Sequence, residues 1–257
     1  WYSEGHINYY YGGQYFAVFL TKLSHTKVEL TYNLMRTSVA GLAFAMPFSL
    51  VYQMMSDRMK GQQKSEKVIK GLPFAAGFTA GTAVSIAGNM HYVIYAQIIP
   101  LIEKLTGREV SSYWFPDATR YIGYNPYREE DRTIHEFPCY SFVLGDLHAH
   151  VVNIMFVLLV IAFLYVWLRG VRKKTVPVET SMKDGKFWKE QLLMPHLLVI
   201  SVLLGMFQWT NFWDFVIYYV VTLGTVLFAN IIRFQGKIKK IIVVTFAQMA
   251  EIYLIAY

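Results

Sequence analysis

The densest chemistry in this chain lies in Thr133-Ile-His-Glu-Phe-Pro-Cys-Tyr-Ser-Phe-Val-Leu-Gly-Asp-Leu-His-Ala-His150, directly before a long apolar run. Asp146, His148 and His150 alternate. Side chains repeat every two residues along an extended segment, so there all three would face one way. A carboxylate and two imidazoles on one face suit a divalent cation, Mg, Mn or Zn. On a helix, Asp146 and His150 would share a face while His148 turned away, an arrangement that favours a hydrogen-bonded pair. The plainer alternative is a cap, in which Gly145-Asp146 ends one element and begins the next helix. His135 and Glu136, just upstream, are further candidates for the same site.

Two other clusters carry polar chemistry. Tyr9, Tyr10 and Tyr11, with Asn8 and Gln14, form either an aromatic belt at the lipid headgroups or a surface for sugars or headgroups. Thr210-Asn-Phe-Trp-Asp214 is so short a link that Asp214 must sit at a membrane edge. There a carboxylate is costly unless paired or wetted. It is either a helix cap or part of a pocket with Asn211 and Trp213. Asn89 and His91 interrupt an apolar stretch and need partners from neighbouring helices. Arg120 has the planar fork that grips phosphate oxygens, and Arg108 is a weaker candidate.

These residues must be positioned by membrane helices. Of 257 residues, 55% are apolar and only 16% charged, against about 25% charged in soluble domains. A helix needs roughly 20 apolar residues to cross a bilayer. Residues 34–55, 72–99 (broken near Gly88-Asn89), 151–168, 192–209, 215–232 and 241–257 meet that length closely enough to predict about six spans. Residues 15–23 are too short to cross and predict an interfacial helix. The expected organisation is one all-helical membrane domain over residues 1–257. It comprises an outer loop and interfacial helix (1–32), two spans (33–99), an outer loop (100–150) and four spans (151–257).

Charge sets the expected orientation. Sixteen of the 24 Lys and Arg residues fall in three alternate segments, 56–70, 169–191 and 233–240. The positive-inside rule puts all three in the cytoplasm. The net charge of +7 thus reads as topology, and nucleic acid is not an expected partner. The opposite, outer side then collects six of the seven histidines, most acids and the tyrosine triplet. Other classes lose support. The single cysteine, Cys139, allows no internal disulfide and no cysteine-based metal cage. The chain has no phosphate-cradling glycine loop, HExxH pair or Gly-x-Ser-x-Gly elbow. It begins at Trp1 and stops within an apolar run, as expected of the middle of a longer polytopic protein.

The motifs Trp1-Tyr-Ser-Glu-Gly-His-Ile-Asn-Tyr-Tyr-Tyr-Gly-Gly-Gln14, Gly88-Asn89, Thr133-Ile-His-Glu-Phe-Pro138, Ser141-Phe-Val-Leu-Gly-Asp-Leu-His-Ala-His150 and Asn211-Phe-Trp-Asp214 resemble the YYY-domain family. These are uncharacterised multi-pass membrane proteins of archaea and bacteria. The family more often has proline at the position of Ala149, and Pro-Thr where Val216-Ile217 stand. The resemblance implies a remote likeness to GT-C membrane glycosyltransferases, which use sugars on polyprenyl phosphate at the extracytoplasmic face. It also implies a further helix and an acidic motif upstream of Trp1. The expected function is such a transfer at a prokaryotic plasma membrane. In that reading Asp146, His148 and Glu136 are catalytic, and Asp146, His148 and His150 hold a divalent metal. Asn8, Tyr9, Tyr10, Tyr11, Gln14, Asn89, Arg120, His135, Asn211, Trp213 and Asp214 would bind substrate. A metal-dependent hydrolase of lipids or glycans, and a transporter or assembly protein, are the alternatives.

Overall fold

The computed structural model describes residues 4–5, 9–62, 65–88, 90–120, 136–173 and 181–257, and every regular element among them is helical. That is the expected response to an apolar surrounding, where each backbone N–H and C=O must find its partner within the protein. The chain is a multi-pass, all-helical membrane protein. Its contacts gather into two compact units, residues Trp1–Met35 with His148–Tyr257, and Arg36–Leu147.

The first unit contains α1 (Gly12–Ser24), α6 (Ala149–Lys173), α7 (Gly185–Leu192), α8 (Pro195–Thr210), α9 (Phe212–Phe234) and α10 (Ile238–Ala256). Helices α6, α8, α9 and α10 share one core, in which Val160, Leu197, Ile200, Leu204, Val226 and Ile252 are buried. At Gly205 a Cβ would stand 2.8 Å from the Ala256 carbonyl oxygen, so α8 and α10 approach backbone to side. Small residues permit such contacts between membrane helices. Pro195 opens α8, and helices α7 and α8 meet at 50°. Proline lacks the N–H that a helix start leaves unused, which suits that break. Helix α1 is seated by two glycines. A Cβ on Gly12 would meet the Trp209 carbonyl oxygen at 3.0 Å, and one on Gly13 would meet Val152 at 2.8 Å. The N-terminus of α1 therefore lies against the end of α8 and the start of α6.

The second unit contains most of α2 (Val28–Met59), α3 (Glu66–Ser85), a π-helical turn (Val93–Ile98), α4 (Ile99–Leu105), a 3-10 turn (Phe115–Arg120) and α5 (Pro138–Leu144). Helices α2 and α3 form a hairpin. Pro73, Gly77, Gly81 and Ser85 make a buried stripe at four-residue spacing along α3. Phe44 and Phe48 of α2 pack edge-on against Phe78 and Phe74 of α3, with centroids 5.8 and 5.6 Å apart.

Among the described residues three helices, α2, α6 and α9, are individually long and apolar enough to cross a membrane, and the bent pair α7–α8 makes up to four. About six spans were expected, and the other two expected segments differ in composition or continuity. The segment 72–99 is not one helix: α3 ends at Ser85, and its glycines, threonines and alanines carry little hydropathy. Helix α10 holds Lys239, Lys240 and Glu251 within 19 residues. The helix expected at 15–23 is α1, starting three residues earlier.

The close α2–α3 approach yields a test. A Cβ at Gly77 would lie 2.8 Å from the Phe48 carbonyl oxygen. Overpacking a tight contact costs about 1–3 kcal/mol. Gly77→Val is expected to lower the thermal unfolding midpoint in detergent, whereas Gly71→Val, in open space, is expected to leave it near the parent value.

Candidate functional site

In the second unit a short helix brings two acids together. Pro138 begins α5, and Gly145 ends it in the left-handed region at φ 77°. The N–H groups of Gly145 and Asp146 both donate to the Ser141 carbonyl, the latter at 2.9 Å. This is the closure expected where glycine terminates a helix. Glu136 precedes α5 and Asp146 follows it, yet their carboxylate oxygens lie within 4.8 Å of each other. Both residues are half-buried. A third charge stands over the same turn, because a Cβ on Gly145 would collide with the Arg36 guanidinium. Gly145 is thus required twice, for its backbone angle and for the space Arg36 occupies.

An aromatic cluster adjoins α5. The Tyr140 ring stacks on Phe115, with centroids 5.3 Å apart and planes 9° from parallel. Tyr92 packs edge-on against both Phe115 and Tyr113, at 5.6 Å each. His91 Nδ1 is 3.0 Å from the Tyr113 hydroxyl and its ring stacks on Tyr95 at 4.5 Å. Burial, with the nearby Asp117 and Tyr92, holds the Tyr113 hydroxyl above the usual phenol range. Burial likewise pushes the Cys139 thiol up.

In the first unit the chemistry-bearing pieces meet at one end of the helices. Helix α6 starts at Ala149, with the His148 carbonyl accepting from the N–H groups of Val151 and Val152. The run 146–150 is therefore neither all extended nor all helical. Gly145 ends α5 as expected, but the next helix opens at His148 rather than Asp146. His150 lies in the first turn, its ring tilted and 5.8 Å from that of His148. One turn on, Asn153 is fully buried and donates to Asp214 Oδ2 at 2.6 Å. Asn211 donates to the same oxygen at 3.0 Å, and the Thr210 hydroxyl donates to Asn153 Oδ1 at 2.8 Å. Asp214 sits in the first turn of α9, where a negative charge is favoured. It acts as an acceptor joining α6, α8 and α9. Trp213 points away, 67% exposed. Tyr11 precedes α1 at this same end, through the seating of Gly12 and Gly13. Tyr9 and Tyr11 are exposed, and the Tyr9 and Tyr10 rings are 5.6 Å apart. Gln14 is half-buried in α1.

Asn8, Asn89 and His135 lie outside the described residues, as does the side chain of Arg120. Two residues went unremarked in the sequence reading. Asn153 was taken into an apolar span, although a lone amide in such a run signals a required partner. Arg36 was likewise absorbed into the span 34–55, although a guanidinium there carries the same signal.

Fold and composition define an integral membrane protein, and the family model agrees. Residues 1–256 match the family described as uncharacterized membrane protein (DUF2298), and the chain belongs to it. No curated protein and no solved structure matches.

Two measurements test this geometry. Leaving a buried polar group without its partner costs about 1–3 kcal/mol, and Asp214 is half-buried, so the lower part of that range applies. Asn153→Ala should destabilise by that much in thermal unfolding, and the loss should shrink in an Asp214→Asn background, where the charge is gone. Maleimide alkylation of Cys139 should show a pH midpoint above that of a free cysteine, because burial disfavours the thiolate. A midpoint at or below the ordinary value would contradict that burial.

Proposed function

We propose that the protein is a membrane glycosyltransferase moving a sugar from a polyprenyl phosphate at the extracytoplasmic face of a prokaryotic plasma membrane. The observation that carries this reading is the approach of Glu136 and Asp146 to within 4.8 Å. Metal–oxygen distances of about 2.0–2.6 Å let two such oxygens share one divalent cation. His148 and His150 follow in sequence, at the start of α6.

The chemistry divides among the chain's own groups. Transfer requires taking a proton from an acceptor hydroxyl and stabilising the departing phosphate. One carboxylate of the Glu136–Asp146 pair serves as base. A divalent cation held by Glu136 and Asp146 would supply Lewis-acid stabilisation of phosphate oxygens. Arg36, over the same turn, offers a second positive group with planar, two-pronged geometry. The aromatic faces around Tyr92 and Tyr140, in the same unit as the carboxylates, suit the sugar portion of the donor. Asn211 and Asp214 hold the ends of α8 and α9, so their part is to position. The resemblance of the motifs to the YYY-domain family, which implies a remote likeness to GT-C enzymes, supports the same reaction class by analogy.

The test uses the full-length protein in proteoliposomes with a polyprenyl-phosphate-linked radiolabelled sugar. Glu136→Gln and Asp146→Asn are expected to cut transfer about 100-fold or more while preserving the elution profile and helix content. They should also weaken manganese binding, read by electron paramagnetic resonance, about tenfold or more. Full transfer by both folded variants would overturn the assignment. Release of the label to water, with no acceptor glycosylated, would move it to a hydrolase.

A further inference from the structure

In the first unit α9 and α10 enclose an apolar groove of about 520 Å³, lined by Leu223, Leu227, Ile242, Phe246, Ala250 and Tyr253 among others. Phe246 is 76% exposed, so the groove opens outward. From Ile242 to Tyr253 the helix rises about 16 Å, close to half of a hydrocarbon core about 30 Å thick. The groove is as deep as one leaflet.

Its Ile242 end abuts the basic turn between α9 and α10. Thr245 lines the groove and accepts a hydrogen bond from Asn230 at 3.0 Å. Asn230 Oδ1 in turn accepts from Arg233 Nη1 at 3.1 Å, and Arg233 Nη2 donates to Gln191. Among the described residues the Arg233 guanidinium meets these two amides and the Phe234 ring, at 5.3 Å, and no carboxylate. Lys240 Nζ lies 5.8 Å from the same ring and 5.2 Å from that of Phe187. Lys239 is exposed and shares a face of α10 with Ile242 and Phe246 by helical spacing. Juxtamembrane cations attract anionic headgroups.

We propose that this groove is a binding site for one anionic glycerophospholipid. An acyl chain fills the channel between α9 and α10, and the phosphate rests by Arg233 and Lys239. The combination of a leaflet-deep apolar channel and a cationic rim selects that occupant. A neutral lipid would leave the rim without a counter-charge, and a soluble phosphate would leave the channel empty.

The test is native mass spectrometry of the full-length protein in neutral detergent, with phosphatidylglycerol or phosphatidylcholine of identical chains. One phosphatidylglycerol should be retained about tenfold better than phosphatidylcholine. Lys239→Gln and Arg233→Gln should each reduce the preference, Lys239→Gln being the exposed change that spares the buried amides. Ala250→Trp and Leu227→Trp should remove retention of both lipids, with elution and helix content unchanged. Glycerol phosphate should not compete. Equal retention of both lipids, undiminished binding in both tryptophan variants, competition by glycerol phosphate, or preferential uptake of a polyprenyl phosphate would overturn the proposal. So would a dimer that Ala250→Trp dissociates, since a second copy would then fill the groove.

Discussion

A carboxylate or guanidinium inside an apolar helix group must be met by other polar groups of the same protein, and the first unit is organised by that demand. At one end, Asp214 is held by the amides of Asn153 and Asn211, which binds the start of α6 to the turn between α8 and α9. At the other, Arg233, Asn230, Gln191, Gln248 and Thr245 form a continuous network across α7, α9 and α10. Between these ends the packing is mainly apolar, with the Tyr219 hydroxyl donating across to the Met249 carbonyl. Polar geometry therefore sets which helix ends are joined, and apolar packing fills the space between them. An amide–carboxylate bond in a low dielectric is stronger than in water, and breaking it leaves a group with no solvent to turn to.

The same constraint separates structural from chemical polar groups. Asp214 has its oxygen occupied by two donors from neighbouring elements, which makes it a tie. Glu136 and Asp146 approach one another at the two ends of a seven-residue helix, with the Arg36 guanidinium over the same turn. The left-handed Gly145 turn, crowded by Arg36, fixes where Asp146 emerges. The short helix α5 is thus a spacer whose effect is to bring two distant sequence positions into one place.

Much of this was legible in the residues. Apolar runs and sparse charge predicted the helical membrane class, and Gly145 marked a helix end. The Asn-Phe-Trp-Asp link was expected to put Asp214 at a membrane edge, as a helix cap or as part of a pocket. The partner was not legible, because Asn153 lies 61 positions from Asp214 and only packing brings them together. Glu136 was already a candidate for the same site as Asp146; what spacing did not show was that the short helix α5 would bring the two carboxylates together. Arg233 read as one of several loop cations, yet it belongs to the last turn of α9 and is engaged with buried amides.

The claim at the centre is that Glu136 and Asp146 act as one cation-binding centre. Anomalous scattering from manganese, measured on the full-length protein crystallised with the ion, tests it most directly. The account predicts one strong peak within coordination distance of an oxygen from each carboxylate. Well-ordered Glu136 and Asp146 side chains with no peak between them, at manganese concentrations that saturate binding elsewhere, would contradict it.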